Sequence, residues 1–137
     1  MIIVRSLVLV SLCILLLNGI ACADFISEIS EMTFTSEVLE CDMPVLVWFF
    51  HGETVSVESR FRDGVDSFAE KNRTRIKTLR MDNKYNVITA QKYAIKKNST
   101  FVIFLDGEEV ARSIDIRSEK DLLNFVNQHV PLVDKKK

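Results

Sequence analysis

Sulfur is scarce in this chain and badly spaced for chemistry. The three cysteines stand at positions 13, 22 and 41. That is too few for a disulfide-stapled mini-domain, and no Cys-x-x-Cys pair occurs. The two histidines, His51 and His129, are far apart along the chain, so neither belongs to a metal-binding spacing. Two prolines and four glycines exclude a collagen-like or low-complexity disordered chain. Neither sign of charge dominates: 18 bases against 19 acids leave a net charge of −1. Without a global basic field, generic nucleic-acid binding is excluded. A length of 137 residues leaves room for one domain.

The N-terminus is the exception to this balance. Arg5 precedes an apolar core from Leu7 to Leu17, and Asn18-Gly19 lead into the small-x-small pattern Ala21-Cys22-Ala23. This is the pattern of a secretory signal peptide over residues 1–23. A membrane anchor is the rival reading, but the run falls short of the roughly 20 residues needed to span. Lipidation at Cys22 is weaker still, because Gly19 stands where a lipobox carries Leu. The expectation is a secretory or extracytoplasmic chain (secreted, periplasmic or in the lumen of the endoplasmic reticulum) with no membrane span after cleavage. The C-terminus carries no Lys-Asp-Glu-Leu-type retrieval signal. Cys13 and Cys22 leave with the signal, so Cys41 remains alone, unable to close an internal disulfide but available for a Cys41-linked dimer.

No repeat or linker interrupts residues 24–131, which read as one domain followed by a basic tail, 132–137. Phe25 to Met32 alternates weakly and predicts a short edge strand. Thr35 to Glu40 predicts a short helix. Pro44-Val-Leu-Val-Trp-Phe-Phe50 is apolar throughout, as a strand covered on both faces must be. Val57, Phe61, Val65, Phe68 and Ala69 recur at helical spacing up to Asn72. Arg75 to Met81 alternates again, and Asn86 to Tyr93 predicts a second helix, with Val87, Ala90 and Tyr93 on one stripe. Thr100 to Leu105 is a strand, Asp106-Gly107 a hairpin turn, and Glu109 to Ile114 the return strand. Ser118 with Asp121 forms a capping signature for a last helix, on which Leu122, Phe125, Val126 and His129 share a face. The order β-α-β-α-β-α-β-β-α predicts an α/β fold: a central mixed sheet with helices on both faces, its core led by Val45, Val47, Phe49, Phe61, Phe68, Ile103 and Phe104.

Four segments, in order, resemble the thioredoxin family. Val38-Leu-Glu-Cys-Asp-Met-Pro-Val-Leu-Val-Trp-Phe-Phe50 is similar to its first helix end and central strand. Leu79-Arg-Met-Asp82 is similar to its third strand, Lys92-Tyr-Ala-Ile95 to the Lys-Tyr-Gly-Ile before its cis-proline loop, and Thr100-Phe-Val-Ile-Phe-Leu-Asp-Gly-Glu108 to its hairpin. The resemblance implies a thioredoxin-like three-layer fold. It also marks what is missing. Thioredoxins carry Trp-Cys-Gly-Pro-Cys after the central strand, where this chain has Gly52-Glu-Thr-Val-Ser-Val-Glu58. The two cysteine positions fall on Thr54 and Val57, or, with a one-residue slip, on Val55 and Glu58. Ser56 lies between them, and no hydroxyl can replace the attacking and resolving thiols. The family's buried proton-accepting Asp falls on Trp48, and its cis-proline on Ser99. A cis bond before Ser would cost about 2.5–4 kcal/mol, so a trans linkage is expected.

The resemblance therefore implies a redox-inactive domain without cofactor, acting as a protein-binding, scaffold or chaperone-like module. Its binding edge would comprise His51, Thr54, Val55, Ser56, Val57, Glu58, Asn98 and Ser99, and its partner would be another protein or peptide. The alternative is a residual thiol–disulfide oxidoreductase working through Cys41 with an external thiol, against a plain structural role for that side chain. His51 with Glu53, Ser56 and Glu58 could be drawn as a hydrolytic site, but no nucleophile elbow or oxyanion-hole motif accompanies them. His129 reads as packing or capping. Lys71, Arg73, Arg75, Lys77 and Arg80 read as a solvated strand face, with an anionic glycan or lipid surface as the alternative. Asn72-Arg-Thr74 and Asn98-Ser-Thr100 fit the N-glycosylation sequon.

Overall fold

The structure, a computed structural model, describes residues 26–52 and 55–132, with side chains of 55–60 excepted. The signal segment, Glu53, Thr54 and the tail beyond Leu132 lie outside the described residues. The elements are β1 (Ser27–Glu28), α1 (Thr35–Leu39, a single π-helical stretch), β2 (Val45–Phe50), α2 (Val55–Asn72), β3 (Lys77–Asp82), α3 (Val87–Lys92), β4 (Thr100–Leu105), β5 (Glu108–Ser113) and α4 (Glu119–His129). One five-stranded sheet runs β1-β3-β2-β4-β5. Strands β1, β3 and β2 are parallel, while β4 and β5 run antiparallel to their neighbours. This is the mixed sheet that the alternating first half and terminal hairpin predict.

Strand β2 sits at the centre because its residues are apolar on both faces. Leu46 and Trp48 join Val65, Phe68, Ala69, Phe101, Ile103, Leu122 and Val126 under α2 and α4. Val45, Val47 and Phe49 join Phe34, Val38, Leu79, Met81, Val102 and Phe104 on the opposite face, under α1 and its neighbours. Successive side chains of a strand alternate faces, so one six-residue strand anchors both layers. All of the expected core residues are buried except Phe61, which is half-buried and packs edge-on to Trp48 at 5.6 Å.

Local signals place the remaining elements. Asp106 (φ 50°) and Gly107 (φ 79°) both take the left-handed conformation that a two-residue type I′ hairpin requires. A Cβ on Gly107 would also stand 2.6 Å from the Leu39 carbonyl oxygen, so the hairpin tip closes against the end of α1. Ser118 Oγ caps α4 by accepting the Asp121 amide at 3.1 Å, and the Asp121 carboxylate accepts the Arg117 amide at 3.0 Å. His129 is exposed and lies edge-on to Phe125 at 5.3 Å, so it adds little to the buried stripe. At the sheet's β5 edge, a register shift at Ile103/Phe104 leaves Val110 unpaired between Glu109 and Ala111. Arg112 donates from Nη2 to Glu109 Oε2 at 2.8 Å and to the Tyr93 carbonyl at 2.9 Å.

The basic stretch is not a solvated strand face. Lys71 bonds Glu119 Oε1 at 2.9 Å, joining α2 to α4. Arg75 reaches Asn127 Oδ1 at 2.6 Å and the Val130 carbonyl at 2.8 Å. Lys77 bonds the Glu37 carbonyl at 3.2 Å and its carboxylate, and Arg80 pairs with Glu28 at 3.0 Å. Four of these five side chains are spent on neighbouring elements, and only Arg73 among them is simply exposed. Sequence order alone could not show this, because every partner lies about forty or more positions away.

Two measurements follow from these contacts. Ala94, just past the end of α3, has φ 52°, where a Cβ is strained and the resembling family segment has Gly. Ala94→Gly should raise stability by about 1 kcal/mol, whereas Gly107→Ala should lower it by about 2 kcal/mol or more, both read by chemical denaturation. The Lys71 hydrogen bond, aided by Ser67, holds the Glu119 carboxyl below the usual glutamate range against a smaller opposing effect of burial. A depressed folded value means stability that is present above the unfolded value and lost as pH falls through the folded one. Glu119→Gln should therefore cost under about 1 kcal/mol at pH 7, and its melting temperature should converge with that of the unaltered protein in acid.

Candidate functional site

The register of the central strands gathers one set of polar groups at the carboxyl end of β2. Phe49 pairs with Thr100, so His51 beyond one strand and Asn98-Ser99 before the other come to the same end of the sheet. Phe50 pairs with Asp82 on the other side, and the Asn83 amide donates to the Phe50 carbonyl at 2.7 Å. Helix α2 starts here at Val55. The fold thus brings His51, Asn98, Ser99 and the backbone of Val55–Glu58 to one edge. Thr54 lies outside the described residues, as does Glu53, so the drawn hydrolytic grouping has no described geometry.

Ser99 holds φ 58°, and no cis peptide bond occurs among the described residues, so the Asn98–Ser99 linkage is trans. The loop from Ala94 to Ser99 is consequently bracketed by two non-glycine residues in the left-handed region. It is anchored before and after. Tyr93 packs against Phe34 and Phe104 at ring distances of 5.4 Å, and its hydroxyl is shifted upward mainly by burial, then by Glu109. Thr100, buried, donates from Oγ1 to the Lys97 carbonyl at 2.9 Å.

Asp82 is a site residue that sequence reasoning recognised only as the end of a strand. Its side chain is buried, Oδ1 accepts the Lys84 amide at 2.9 Å, and its carbonyl accepts the Asn86 side-chain amide at 2.8 Å. Oδ2 lies so close over Gly52 that a Cβ there would approach it to 2.7 Å. The signal was the glycine itself, immediately after a buried strand, where a neighbouring carboxylate needs the space.

Trp48 occupies the position of the resembling family's proton-accepting Asp, and its surroundings are aromatic. It stacks on Phe101 at 5.8 Å with 5° between planes, and Phe50 and Phe61 lie at 5.4 and 5.6 Å. It is only 2% exposed, and its Nε1 has no hydrogen-bond partner. A neutral indole buried among rings can hold no exchangeable charge for a neighbouring thiol.

Cys41 lies at the opposite end of the sheet. It precedes β2, which then runs away from it for six residues, about 17 Å at ~3.3 Å per step. The side chain is half-buried against the α1-face core. No cluster of three or more metal-ligating side chains exists among the described residues. Of the two sequons, Asn98 is exposed, whereas Asn72 is half-buried and donates its side-chain amide to the Phe68 carbonyl at 2.9 Å.

Comparison with known proteins agrees with this architecture. Residues 25–128 match the thioredoxin family model. The thioredoxin of Rickettsia typhi is 26% identical over 105 residues, covering 77% of this chain and 99% of its own. Thioredoxin 1 of Synechococcus elongatus is 28% identical over 104 residues, with 76% and 96% covered. The thioredoxin of Porphyra purpurea is 28% identical over 105 residues, with 77% and 97% covered. With sheet order, core and family match in agreement, this chain belongs to the thioredoxin family.

Proposed function

We propose that this chain is a redox-inactive member of its family, a protein- or peptide-binding module of scaffold or chaperone-like type. The observation that carries the reading is the coupled replacement at the loop end of β2. Gly52 to Glu58 contains no sulfur, and Trp48 fills the acid's place with a stacked indole. Thiol–disulfide exchange needs an attacking thiolate and a second thiol to resolve the mixed disulfide, and neither is provided there. The surface that remains is the edge formed by His51 to Glu58 with Asn98 and Ser99. The trans linkage at Ser99 re-aims the backbone donors that a cis-proline loop would offer to an extended peptide.

The same proposal gives residues 1–23 as a cleaved signal peptide, 24–131 as the working domain and 132–137 as a basic tail, in the secretory or extracytoplasmic space. The small-x-small motif at Ala21 to Ala23 supports it, and no described helix is long and apolar enough to cross a membrane. Nucleic acid is not the proposed partner, since most of the basic stretch is engaged within the fold. Where the host glycosylates, Asn98 is the better-placed acceptor of the two, and a glycan there would cover part of this edge.

The second reading is a residual oxidoreductase. The relatives named thioredoxin favour it, and Cys41 is the thiol that cleavage would leave. In that case the Cys41 thiolate attacks one sulfur of a substrate disulfide and expels the other as a thiolate, and an external dithiol then reduces the mixed disulfide, freeing Cys41 and the second substrate thiol as it becomes a disulfide itself. Insulin reduction with dithiothreitol separates the two readings: the protein and Cys41→Ser should both stay at the background rate, and a Cys41-dependent rate would favour the enzyme. For the binding edge, Thr54→Tyr and Asn98→Tyr should reduce partner capture from the native compartment with melting temperature nearly unchanged. Undiminished capture by both would remove this edge from the proposal.

A further inference from the structure

Half of the eight large apolar side chains exposed among the described residues collect at one seam, which begins beside the end of β3 that borders Gly52. They are Met32 at 93% exposure, Tyr85 at 74%, Ile88 at 72% and Val87 at 49%. The seam joins the turn before α1 to the start of α3, and hydrogen bonds fix it. The Glu31 amide donates to Asn86 Oδ1 at 3.0 Å. Glu31 Oε1 accepts the amides of Ile88 at 2.7 Å and Thr89 at 3.2 Å, serving α3 where its own cap residue, Asn86, makes no side-chain cap. The apolar groups therefore stand on a braced backbone, and little order has to be created when they are covered.

On the α3 side of the seam the charges carry one sign. From Lys84 to Lys97 the chain holds Lys84, Lys92, Lys96 and Lys97 and no acid. Lys84 Nζ lies over the Tyr85 ring at 5.8 Å and Lys92 Nζ over the Tyr93 ring at 5.9 Å, so both ammonium groups border the aromatic surface. Glu31, the acid within the seam, is turned onto the α3 amides. On α3 itself, Thr89 and Ala90 are buried, while Val87, Ile88, Gln91 and Lys92 face outward. Ile88 and Lys92 are one helical turn apart on that face.

We infer that this seam is a docking surface for an acidic amphipathic helix of a partner protein, its apolar side chains covering Met32, Tyr85 and Ile88 and its carboxylates meeting Lys92, Lys96 and Lys97. An apolar anchor one turn from a cation matches a partner helix with apolar and acidic residues one turn apart. A second copy fits poorly, because it would set lysine against lysine. A membrane fits poorly too, because three of the four lysines lie to one flank, at and beyond the end of α3, rather than ringing an apolar tip. The seam adjoins the edge after β2 but uses none of His51, Asn98 or Ser99, so substitutions at Met32 and Ile88 test it separately from that reading.

The test uses the purified protein and a synthetic 14-residue helix-forming peptide of Leu, Ala and Glu, with Leu and Glu one turn apart. Controls are a peptide with Lys for each Glu, and vesicles of phosphatidylserine and phosphatidylcholine. The acidic peptide should shift the amide resonances of residues 85–97 saturably, and Met32→Asp with Ile88→Asp should weaken it at least tenfold. Lys92→Glu with Lys96→Glu should also weaken it tenfold and abolish its salt dependence. Thermal melts check that each variant is folded, and the milder Met32→Ser with Ile88→Ser replaces the aspartates if they lower the melting temperature. Equal binding of the lysine peptide, unchanged affinity in the variants, or no saturable shift would overturn the inference. So would binding to vesicles alone, or self-association that the same substitutions abolish.

Discussion

Burial of β2 on both faces is the constraint from which the rest of the structure follows. Its odd-numbered residues enter one core and its even-numbered residues the other, so no position along the strand is available to a polar group without cost. A carboxyl at position 48 would stand in an apolar layer between Phe101 and Phe61 and would need a partner to be tolerated there. The indole found instead gains ring contacts on several sides, at the expense of one unpaired N–H. The exchange favours packing over chemistry, and it does so immediately beneath the loop where chemistry would occur.

The two ends of the sheet have consequently diverged. At one end Cys41 is half-buried, two residues after Leu39, on which the hairpin closes. At the other, the buried Asp82 accepts the Lys84 amide on its carboxylate and the Asn86 side chain on its carbonyl, and lies close over Gly52. The left-handed residues at Ala94 and Ser99 hold the intervening loop in a shape that L-residues adopt reluctantly, and the anchoring of Tyr93 and Thr100 on either side is what sustains it.

Much of the fold was legible in the residues because its strongest elements are locally determined. The apolar run at 44–50 could only be an interior strand, Asp106-Gly107 could only be a tight hairpin, and Ser118 announced a helix that its own side chain caps. The family likeness was legible for the same reason, through segments that each define an element. What escaped was set by contacts between distant positions. The lysines and arginines of 71–80 looked like a surface until their partners at 28, 37, 119 and 127 were in place. Glu31 showed no periodic signal at all, yet it supplies the cap that α3 lacks. Phe61 fell on the expected stripe in the first half of α2, but it is only half-buried, edge-on to Trp48 and Phe101. The candidate edge was legible as a position along the chain, through the strand-to-helix junction, but Asp82's place under Gly52 depends on the pairing of β2 with β3.

The sheet's two borders have a consequence for how the molecule behaves in company. One border is a strand of two residues, too short to template anything. The other is interrupted by an extra residue and carries Glu108, Glu109 and Arg112 along its length. Such borders resist the sideways accretion of further strands. Growth of a fibre begins by copying a free edge, and here neither edge offers a template long or regular enough to copy. Crowded copies should accordingly not add to one another strand by strand, a property written into the sheet's margins rather than into its net charge.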